Sequence, residues 1–274
     1  PKLGFDQFKS FHSKYYHPSN ARVYFYGDDD PSERLRLLDS YLDEFTAIEV
    51  DSTISTQRKF TEPRRIDVKF PIATGTEPKY MLTVNWLLNE ESMPHPERLA
   101  VGVLESLLLG TSSSPLRKKL IESGFGEAVT GGGLSDELLQ STFSVGLKGV
   151  KPENADKIEQ LVLDELARLQ KEGFDQGDVR AALNTLEFSL REFNTGGFPR
   201  GLSLMLGFLG DWIYDRDPLD GVRFEEALQT LKTDLAAGKP VFQSLLQKYF
   251  VDNRHRVTVE ARPDETLEAM QQQA

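Results

Sequence analysis

The segment from Leu107 to Gly133 constrains the fold more than any other part of the chain, because it places helix boundaries and a glycine triplet in close succession. Pro115 is expected at the first position of a helix, where its missing N–H breaks no hydrogen bond, and Ser114 is expected to cap that helix. Gly124 is expected to stop the helix. A strand should then run into Gly131–Gly133. Glycines at these places let another backbone approach closely, so the segment predicts a surface that holds a chain.

The glycine triplet has two interpretations. As a structural feature, Gly131–Gly133 would form a bulge or a tight turn. As a functional feature, it would leave an open strand edge with which an extended peptide can pair. A phosphate loop is excluded because no Gly-Lys-Ser/Thr follows, and because Asp136 and Glu137 would repel a phosphate group.

The serines that precede Pro115 are the chain's only candidate for a serine nucleophile beside glycine. They do not form a nucleophile elbow, because the pattern Gly-x-Ser-x-Gly is absent. A Ser-x-x-Lys motif starting at Ser114 is also absent, because Arg117 stands where the lysine would be. The sequence therefore predicts a helix cap and a hydroxyl-rich loop at this place.

Hydrophobic periodicity predicts an α+β fold for most of the chain. Strands are expected where apolar and polar residues alternate, and helices where apolar residues recur every three or four positions. Besides the strand that enters the glycine triplet, the expected strands are 65–70, 80–88, 143–149 and 256–261, and further helices begin near residues 96, 152, 175, 200, 222 and 240. Strands in hairpin-like pairs and a block of helices predict a two-layer unit, with one sheet and helices packed on one face.

The first part of the chain has a different pattern. A helix is expected over residues 5–16, a strand over Ala21–Gly27, and a second helix from Asp30 to about Phe45. A single strand cannot satisfy its own backbone groups, so its sheet partners must lie later in this chain or outside it. Residues 46–64 are polar and show no period, as expected for a linker.

Composition excludes several classes of function. The net charge of -11 and the pI of about 5.0 argue against nucleic acid and against an anionic membrane as main partners, and suit a basic ligand. The absence of cysteine excludes disulfides, cysteine zinc sites and thiol catalysis. No apolar run of about 18 residues indicates a membrane span.

No metal site is expected in this chain. The histidines do not form a zinc motif of the His-x-x-Glu-His or His-Glu-x-x-His type. The acidic run Asp28–Asp30 lacks the spacing of a calcium loop and is expected to form a turn and a helix cap. The four histidines are His12, His17, His95 and His255.

Residues 109–124, LGTSSSPLRKKLIESG, resemble the LG-x-x-x-SPL-x-x-x-L-x-x-x-G pattern of the pitrilysin family of zinc metallopeptidases, and most of all its presequence-protease branch. Further matching stretches are spread over nearly the whole chain. They are FHSKYYHPSNARVYFYGDDDP (11–31), MLTVNWLL (81–88), SGFGEAVTGGGLSDELLQSTFSVGLKGV (123–150), NTLEFSLREFNTGGFPRGLSLML (184–206) and HRVTVE (255–260).

The resemblance implies a two-layer pitrilysin-type domain of the LuxS/MPP-like metallohydrolase fold, four of which close around a chamber in a family member. Residues 1–47 would be the C-terminal end of the catalytic domain, 48–57 a linker, 58–262 a non-catalytic domain and 263–274 a polar tail. The family's inverted H-x-x-E-H zinc motif is absent. The chain is therefore expected to be part of a longer zinc metalloendopeptidase, and to be inactive alone, with no catalytic residue and no bound zinc.

The resemblance also implies a peptide-holding site. In the insulin-degrading branch, the second domain captures the substrate's N-terminal end with a glycine-rich loop and an adjacent strand edge. The matching positions are Gly110, Thr111, Ser112, Ser113, Val129, Thr130, Gly131, Gly132 and Gly133.

The partners implied by the resemblance are peptide substrates, above all basic targeting peptides, and the remaining domains of the parent chain. Location in the mitochondrial matrix or the chloroplast stroma is implied in the same way. Two alternatives stay open. One is a non-catalytic scaffold or processing subunit of the same fold, and the other is a plain peptide-binding module.

Overall fold

The computed structural model describes residues 3–73 and 75–267. The chain divides into two compact units. One contains residues 1–56 and 195–207, and the other contains residues 57–194 and 208–274. The predicted α+β class, with one sheet and helices on one of its faces, is confirmed.

The first unit contains helix α1 (Phe5–Tyr15) and helix α2 (Pro31–Leu42). Asp30 caps α2 as predicted, because its carboxylate accepts a hydrogen bond of 2.9 Å from the backbone N–H of Ser32. The strand predicted at Ala21–Gly27 is wrong, since residues 21–27 belong to none of the strands in the described chain. Alternating side chains favour an extended backbone, but a strand also needs a neighbour to satisfy its N–H and C=O groups.

The second unit is built on a five-stranded sheet of order β1-β5-β2-β4-β3. Its strands are β1 (Arg64–Pro71), β2 (Tyr80–Leu87), β3 (Ala128–Ser135), β4 (Thr142–Val150) and β5 (Arg256–Asp264). β1 runs parallel to β5, and the other neighbours are antiparallel. β1 and β2 are consecutive in the sequence but do not pair with each other, because β5 lies between them. β5 also extends to Asp264, three residues beyond the alternating pattern, because Pro263 and Asp264 align with the end of β1.

The period of two along β2 explains which face of the sheet is covered. Leu82, Val84 and Trp86 are almost completely buried under the helices, whereas the alternate residues Met81 and Thr83 lie on the opposite face. Trp86 packs edge-to-face against Phe250 and Phe143, with ring centroids 5.3 and 6.2 Å away. This aromatic cluster fixes the helical layer to the sheet.

The helical layer comes from segments with the predicted period of 3.6. Its members are α3 (His95–Leu109), α4 (Pro115–Glu122), α5 (Ala155–Glu172), α6 (Gln176–Glu192), α8 (Glu225–Ala236) and α9 (Val241–Leu246). Helix α7 (Arg200–Trp212) contributes residues to both units. The helix predicted to begin near residue 175 is α6, and Asp175 caps it by accepting hydrogen bonds from the N–H groups of Gly177 and Asp178. Helices α3 and α4 both contact β3, and this arrangement positions the candidate site.

Candidate functional site

The loop between α3 and α4 is held by its own hydroxyls and by one close backbone approach. At Gly110 a Cβ would come 2.5 Å from the carbonyl oxygen of Ser106, so the α3 end has no room for a larger residue. Ser114 stands at the N-cap position of α4, but the predicted side-chain cap is wrong. Its hydroxyl instead accepts from the N–H of Thr111 at 3.1 Å and donates to Ser106 at 3.3 Å.

The remaining loop residues face outward. Ser112 and Ser113 are exposed, and the hydroxyl of Ser113 lies 2.9 Å from that of Thr111. The loop therefore presents small hydroxyl groups on the surface, close to where α3 and α4 meet β3.

Strand β3 lies at an edge of the sheet. Within the described ranges it pairs with β4 on one side and with no strand on the other. On the free side of an antiparallel edge strand, alternate residues direct their N–H and C=O groups outward. These groups can form a ladder with an added extended chain.

The glycine triplet forms a bulge within that edge strand. Thr130 faces Gly146 and Gly133 faces Ser144, so β3 has one more residue than β4 over this interval. Gly131 has φ of 96° and a Cβ there would meet the carbonyl oxygen of Ser144 at 2.5 Å, which requires glycine. Gly132 is exposed and has open space around it. The bulge and the open edge, weighed above as alternatives, are therefore present together.

The other predicted site residues of β3 divide between its two faces. Val129 is partly buried and packs against the core, whereas Thr130 points to the opposite face. Gly133 is buried and has φ of 65°. A Cβ at Gly133 would come 2.6 Å from Oε1 of Glu105, a side chain on α3.

Two carboxylates beside the bulge were not found by sequence reasoning. Glu105 lies on α3, and Asp136 directly follows β3; both are partly buried. Burial raises the pKa of the Glu105 carboxyl, opposed by Arg117 and reinforced by Asp136. Burial likewise raises the pKa of the Asp136 carboxyl, opposed by Arg98. The available signal was the single charged residue in the otherwise uncharged and mostly apolar run from Val101 to Leu109.

Arg98, which acts on Asp136, is itself paired with a third carboxylate, that of Asp211. Asp211 is 1% exposed, and both of its oxygens accept from the guanidinium of Arg98, at 3.1 and 3.0 Å. Arg216 approaches the same carboxylate at 3.1 Å. This network joins α3 to the residues around the end of α7, and it directs the Arg98 guanidinium towards Asp211.

The histidines do not converge on a common point. His255 is buried, its ring stacks on Phe60 at 4.1 Å, and its Nδ1 accepts the backbone N–H of Phe60 at 3.1 Å. The guanidinium of Arg64 lies 3.5 Å from the other face of the Phe60 ring. No group of three or more potential ligands that could hold a metal occurs in the described parts of the chain. These residues therefore do not fit a zinc ion.

A comparison with models of protein families identifies the family of this chain. The model of the "Peptidase M16 inactive domain" matches residues 2–186. The chain belongs to this family. The M16 peptidases are the pitrilysin family, so the resemblance found in the sequence is confirmed, as is the prediction that this region is a non-catalytic domain.

Relatives of this M16 domain include named presequence proteases. It is 53% identical over 270 residues to Presequence protease 1, chloroplastic/mitochondrial, of Arabidopsis thaliana, covering 96% of this chain and 25% of the relative. It is 31% identical over 284 residues to the mitochondrial presequence protease of Drosophila melanogaster, covering 100% and 27%. The chain thus spans about a quarter of the length of the curated relatives it matches.

Two solved structures share the fold of this chain. A peptidase M16 inactive domain from Pseudomonas fluorescens aligns with a TM-score of 0.67 at 19% identity, over 96% of this chain and 58% of that one. A protease from Helicobacter pylori aligns with a TM-score of 0.70 at 17% identity, over 96% and 59%. No helix in the described part of this M16 domain has the length and apolarity needed to cross a membrane.

Proposed function

We propose that this M16 inactive domain holds extended peptides along the free edge of β3, as the non-catalytic part of a presequence-type zinc metalloendopeptidase. The observation that carries the proposal is the unpaired edge of β3, with its glycine bulge open at Gly132. The matched relatives named presequence proteases support the choice of a peptide as ligand.

Backbone pairing suits a protein that must hold many different sequences. An added strand forms hydrogen bonds through its N–H and C=O groups, which every peptide has, whatever its side chains. Gly131 and Gly132 present no side chain that would keep a second backbone away from the edge. The exposed hydroxyls of Ser112 and Ser113 can donate to or accept from groups of the same peptide.

The sheet face opposite the helices supports a role as a chamber wall. Ile66, Val68 and Met81 are large apolar residues that this chain leaves exposed. In the register of β1 and β2 with β5, these three residues lie on the same face as Val257 and Val259. An apolar sheet surface of this kind can contact the side chains of an unfolded peptide.

The proposed parent enzyme would hydrolyse peptides with a zinc-bound water, which the metal makes nucleophilic. The zinc ligands would come from parts of the parent other than the residues described above, whose histidines are dispersed.

The proposal also includes the domain division. Residues 1–47 would complete a catalytic domain, 48–57 would form a linker, 58–262 would form the non-catalytic domain and 263–274 a polar tail. Basic targeting peptides fit a net charge of -11, and the relatives' names support a mitochondrial or chloroplast location.

The binding test uses the 274-residue chain and a fluorescein-labelled, unstructured peptide derived from a basic targeting sequence. A Cβ at Gly132 would meet no atom within 4 Å, so Gly132→Val is expected to crowd the exposed bulge and to leave the fold intact. Fluorescence anisotropy should show binding by the wild type and at least about tenfold weaker binding by Gly132→Val. Gly197→Val, at another exposed glycine with open space, is the matched control. Equal affinities of the three proteins for the peptide would exclude the β3 edge as the binding site.

A second measurement tests the inactive assignment. The chain is incubated with the same peptide and added zinc, and products are followed by mass spectrometry. No cleavage is expected. Cleavage that depends on zinc and on this chain would contradict the proposal that the chain is the non-catalytic part of the parent enzyme.

A further inference from the structure

We propose that a groove between α4 and α5 binds a small anion with an apolar body, such as an aromatic or branched aliphatic carboxylate. The inference goes beyond the proposed function, because the residues that line this groove belong neither to β3 nor to the loop between α3 and α4. The floor of the groove is apolar, and two lysines at its rim, Lys119 and Lys157, supply the charge that an anion requires.

The groove follows one face of α5. Lys157, Leu161 and Asp164 recur at intervals of four and three residues, so their side chains lie along a single stripe of the helix. Lys119, in the last turn of α4, lines the groove from the neighbouring helix. The volume is about 470 Å³, which is in the size range of small-molecule sites.

The floor of the groove is formed by Phe125 and Leu161. Both side chains are partly buried and pack against the core, so the apolar surface that they leave uncovered is held in place. Nζ of Lys157 lies 5.5 Å from the centroid of the Phe125 ring. A ligand whose apolar body covers this ring therefore brings its anionic group next to an ammonium.

The two ammonium groups have no ionic partner of their own. Among residues 3–73 and 75–267, Lys119 forms neither an ion pair nor a side-chain hydrogen bond. Lys157 donates one hydrogen bond, of 3.0 Å, to the neutral amide oxygen of Asn154, which leaves two of its three N–H groups for a ligand. Lys157 also lies in the first turn of α5, where the helix dipole disfavours a cation.

The carboxylates of the groove are already engaged. Glu165 is 5% exposed and accepts two hydrogen bonds from Arg168, at 3.0 and 2.6 Å. Asp164 accepts a bond of 2.6 Å from the side-chain amide of Gln160. Within the described ranges neither carboxylate forms an ion pair with a lysine of the groove. An anion therefore finds two available ammonium groups beside an apolar floor.

A neighbouring depression does not suit the same ligand. It has a volume of about 480 Å³ and shares Lys119 with the groove. Lys118 lies 3.8 Å from Glu122 there, and Asp175 and Asp178 add two further carboxylates. Because these carboxylates repel an anion, the ligand is expected in the groove beside α5.

Binding is tested by fluorine NMR with the 274-residue chain and two probes, para-trifluoromethyl phenylacetate and its neutral amide. The acid is expected to bind with a dissociation constant of about 1 mM, as usual for a ligand of this size. It should bind at least about fivefold more tightly than the amide. Acetate, which has the charge without the apolar body, should not displace the probe at the same concentration.

The site is identified with two double variants. In Lys119→Gln/Lys157→Gln the preference for the acid should fall below about twofold, because only the charge contrast is removed. Lys9→Gln/Lys171→Gln removes two exposed lysines elsewhere and should keep the preference. The site is overturned if neither probe binds the wild type, if acid and amide bind equally, or if the Lys119/Lys157 variant keeps the preference.

A competition experiment distinguishes two sources of such a carboxylate. A short peptide that ends in phenylalanine is compared with N-acetylphenylalanine as a competitor of the fluorinated acid, and the C-terminally amidated peptide is the control. Stronger displacement by the peptide with a free carboxylate assigns the groove to a peptide C-terminus. Equal or weaker displacement assigns it to a free acid.

Discussion

Oε1 of Glu105 occupies the space into which a side chain at Gly133 would project, so that a Cβ at Gly133 would come within 2.6 Å of it. An acidic residue of α3 and a glycine of β3 thus depend on each other. The glycine permits the carboxylate to lie against the bulge, and the carboxylate leaves no room for any larger residue.

Gly133→Ala is expected to destabilise the chain by about 1–2 kcal/mol, because alanine is strained at a φ of 65° and its methyl group displaces Glu105. In a Glu105→Ala background only the backbone strain remains, so the cost should fall by about 0.5 kcal/mol or more. Urea unfolding of the four proteins of this double-mutant cycle measures the coupling. Strict additivity would contradict the contact.

The bulge predicts that two adjacent glycines differ in their tolerance to substitution by alanine. Gly131→Ala should cost about 2 kcal/mol or more, because a methyl group would meet the Ser144 carbonyl oxygen at 2.5 Å and φ is 96°. Gly132→Ala, with open space around it, should change the free energy of unfolding by less than about 0.5 kcal/mol. Thermal or urea denaturation distinguishes them, and a similar loss at both positions would rule out the observed register.

Glu105→Gln should stabilise the folded chain at neutral pH. Burial raises the pKa of this carboxyl, so its contribution to stability is present below the ordinary pKa and is lost as the pH rises through the folded value. We expect the variant to exceed the wild type by about 0.5 kcal/mol at pH 7, a modest figure because the site is partly solvated, and by less at pH 4. Urea midpoints at both pH values measure it. Glu153→Gln, at an exposed site, is the control.

The ion network around Asp211 predicts a large loss on truncation. Asp211→Ala leaves the guanidinium groups of Arg98 and Arg216 without their shared buried partner, and should cost about 3–5 kcal/mol. Glu33→Ala breaks the exposed pair with Arg36 and should cost less than about 1 kcal/mol. Chemical denaturation compares the two. A loss at Asp211 as small as that at Glu33 would mean that the network is not formed in solution.

Acidification should increase the local opening of residues 57–63, the segment around Phe60. Burial lowers the pKa of His255, and Lys59 and Arg64 lower it further, so the neutral ring is favoured in the folded chain. Its contribution to stability is present above the ordinary pKa of 6.5 and is lost as the pH falls through the folded value. Protonation of Nδ1 also removes the acceptor for the Phe60 N–H.

Hydrogen exchange of residues 57–63 measures this release, after correction for the intrinsic pH dependence of exchange. Protection should decrease between pH 7 and pH 5 in the wild type. It should change much less in His255→Gln, whose amide oxygen can still accept the bond but does not titrate in this range. The same pH response in both proteins would assign the effect to another group.

The elements that sequence alone predicted are those with strong local signals. The period of two in β2, the cap at Asp30 and the start of a helix near residue 175 all appear where expected. Pairing was harder, because it is decided by distant residues. Nothing in the pattern of β1 indicates that its neighbour is β5, and nothing in the alternation of Ala21–Gly27 indicates that this segment does not join the described sheet.

The candidate site shows the same division. Glycine and serine positions were visible in the sequence, and they lie on one loop and one edge strand. The carboxylates beside them were not, because Glu105 reaches the bulge from a helix and Asp136 becomes relevant only through the register of β3 with β4. Ser114 shows a further limit: a residue at an N-cap position can direct its hydroxyl to the preceding helix, here to Ser106.

The position of β5 between β1 and β2 has a consequence for synthesis on the ribosome. Residues 64–71 and 80–87 must wait for residues 256–264 before either strand has its shared neighbour. Until then the nascent chain exposes the unpaired edges of β1 and β2, while almost all of the helical layer has already been made. A chaperone that shields those edges, or a permuted chain that brings β5 next to β1 in sequence, would shorten the interval in which misfolding competes with closure of the sheet.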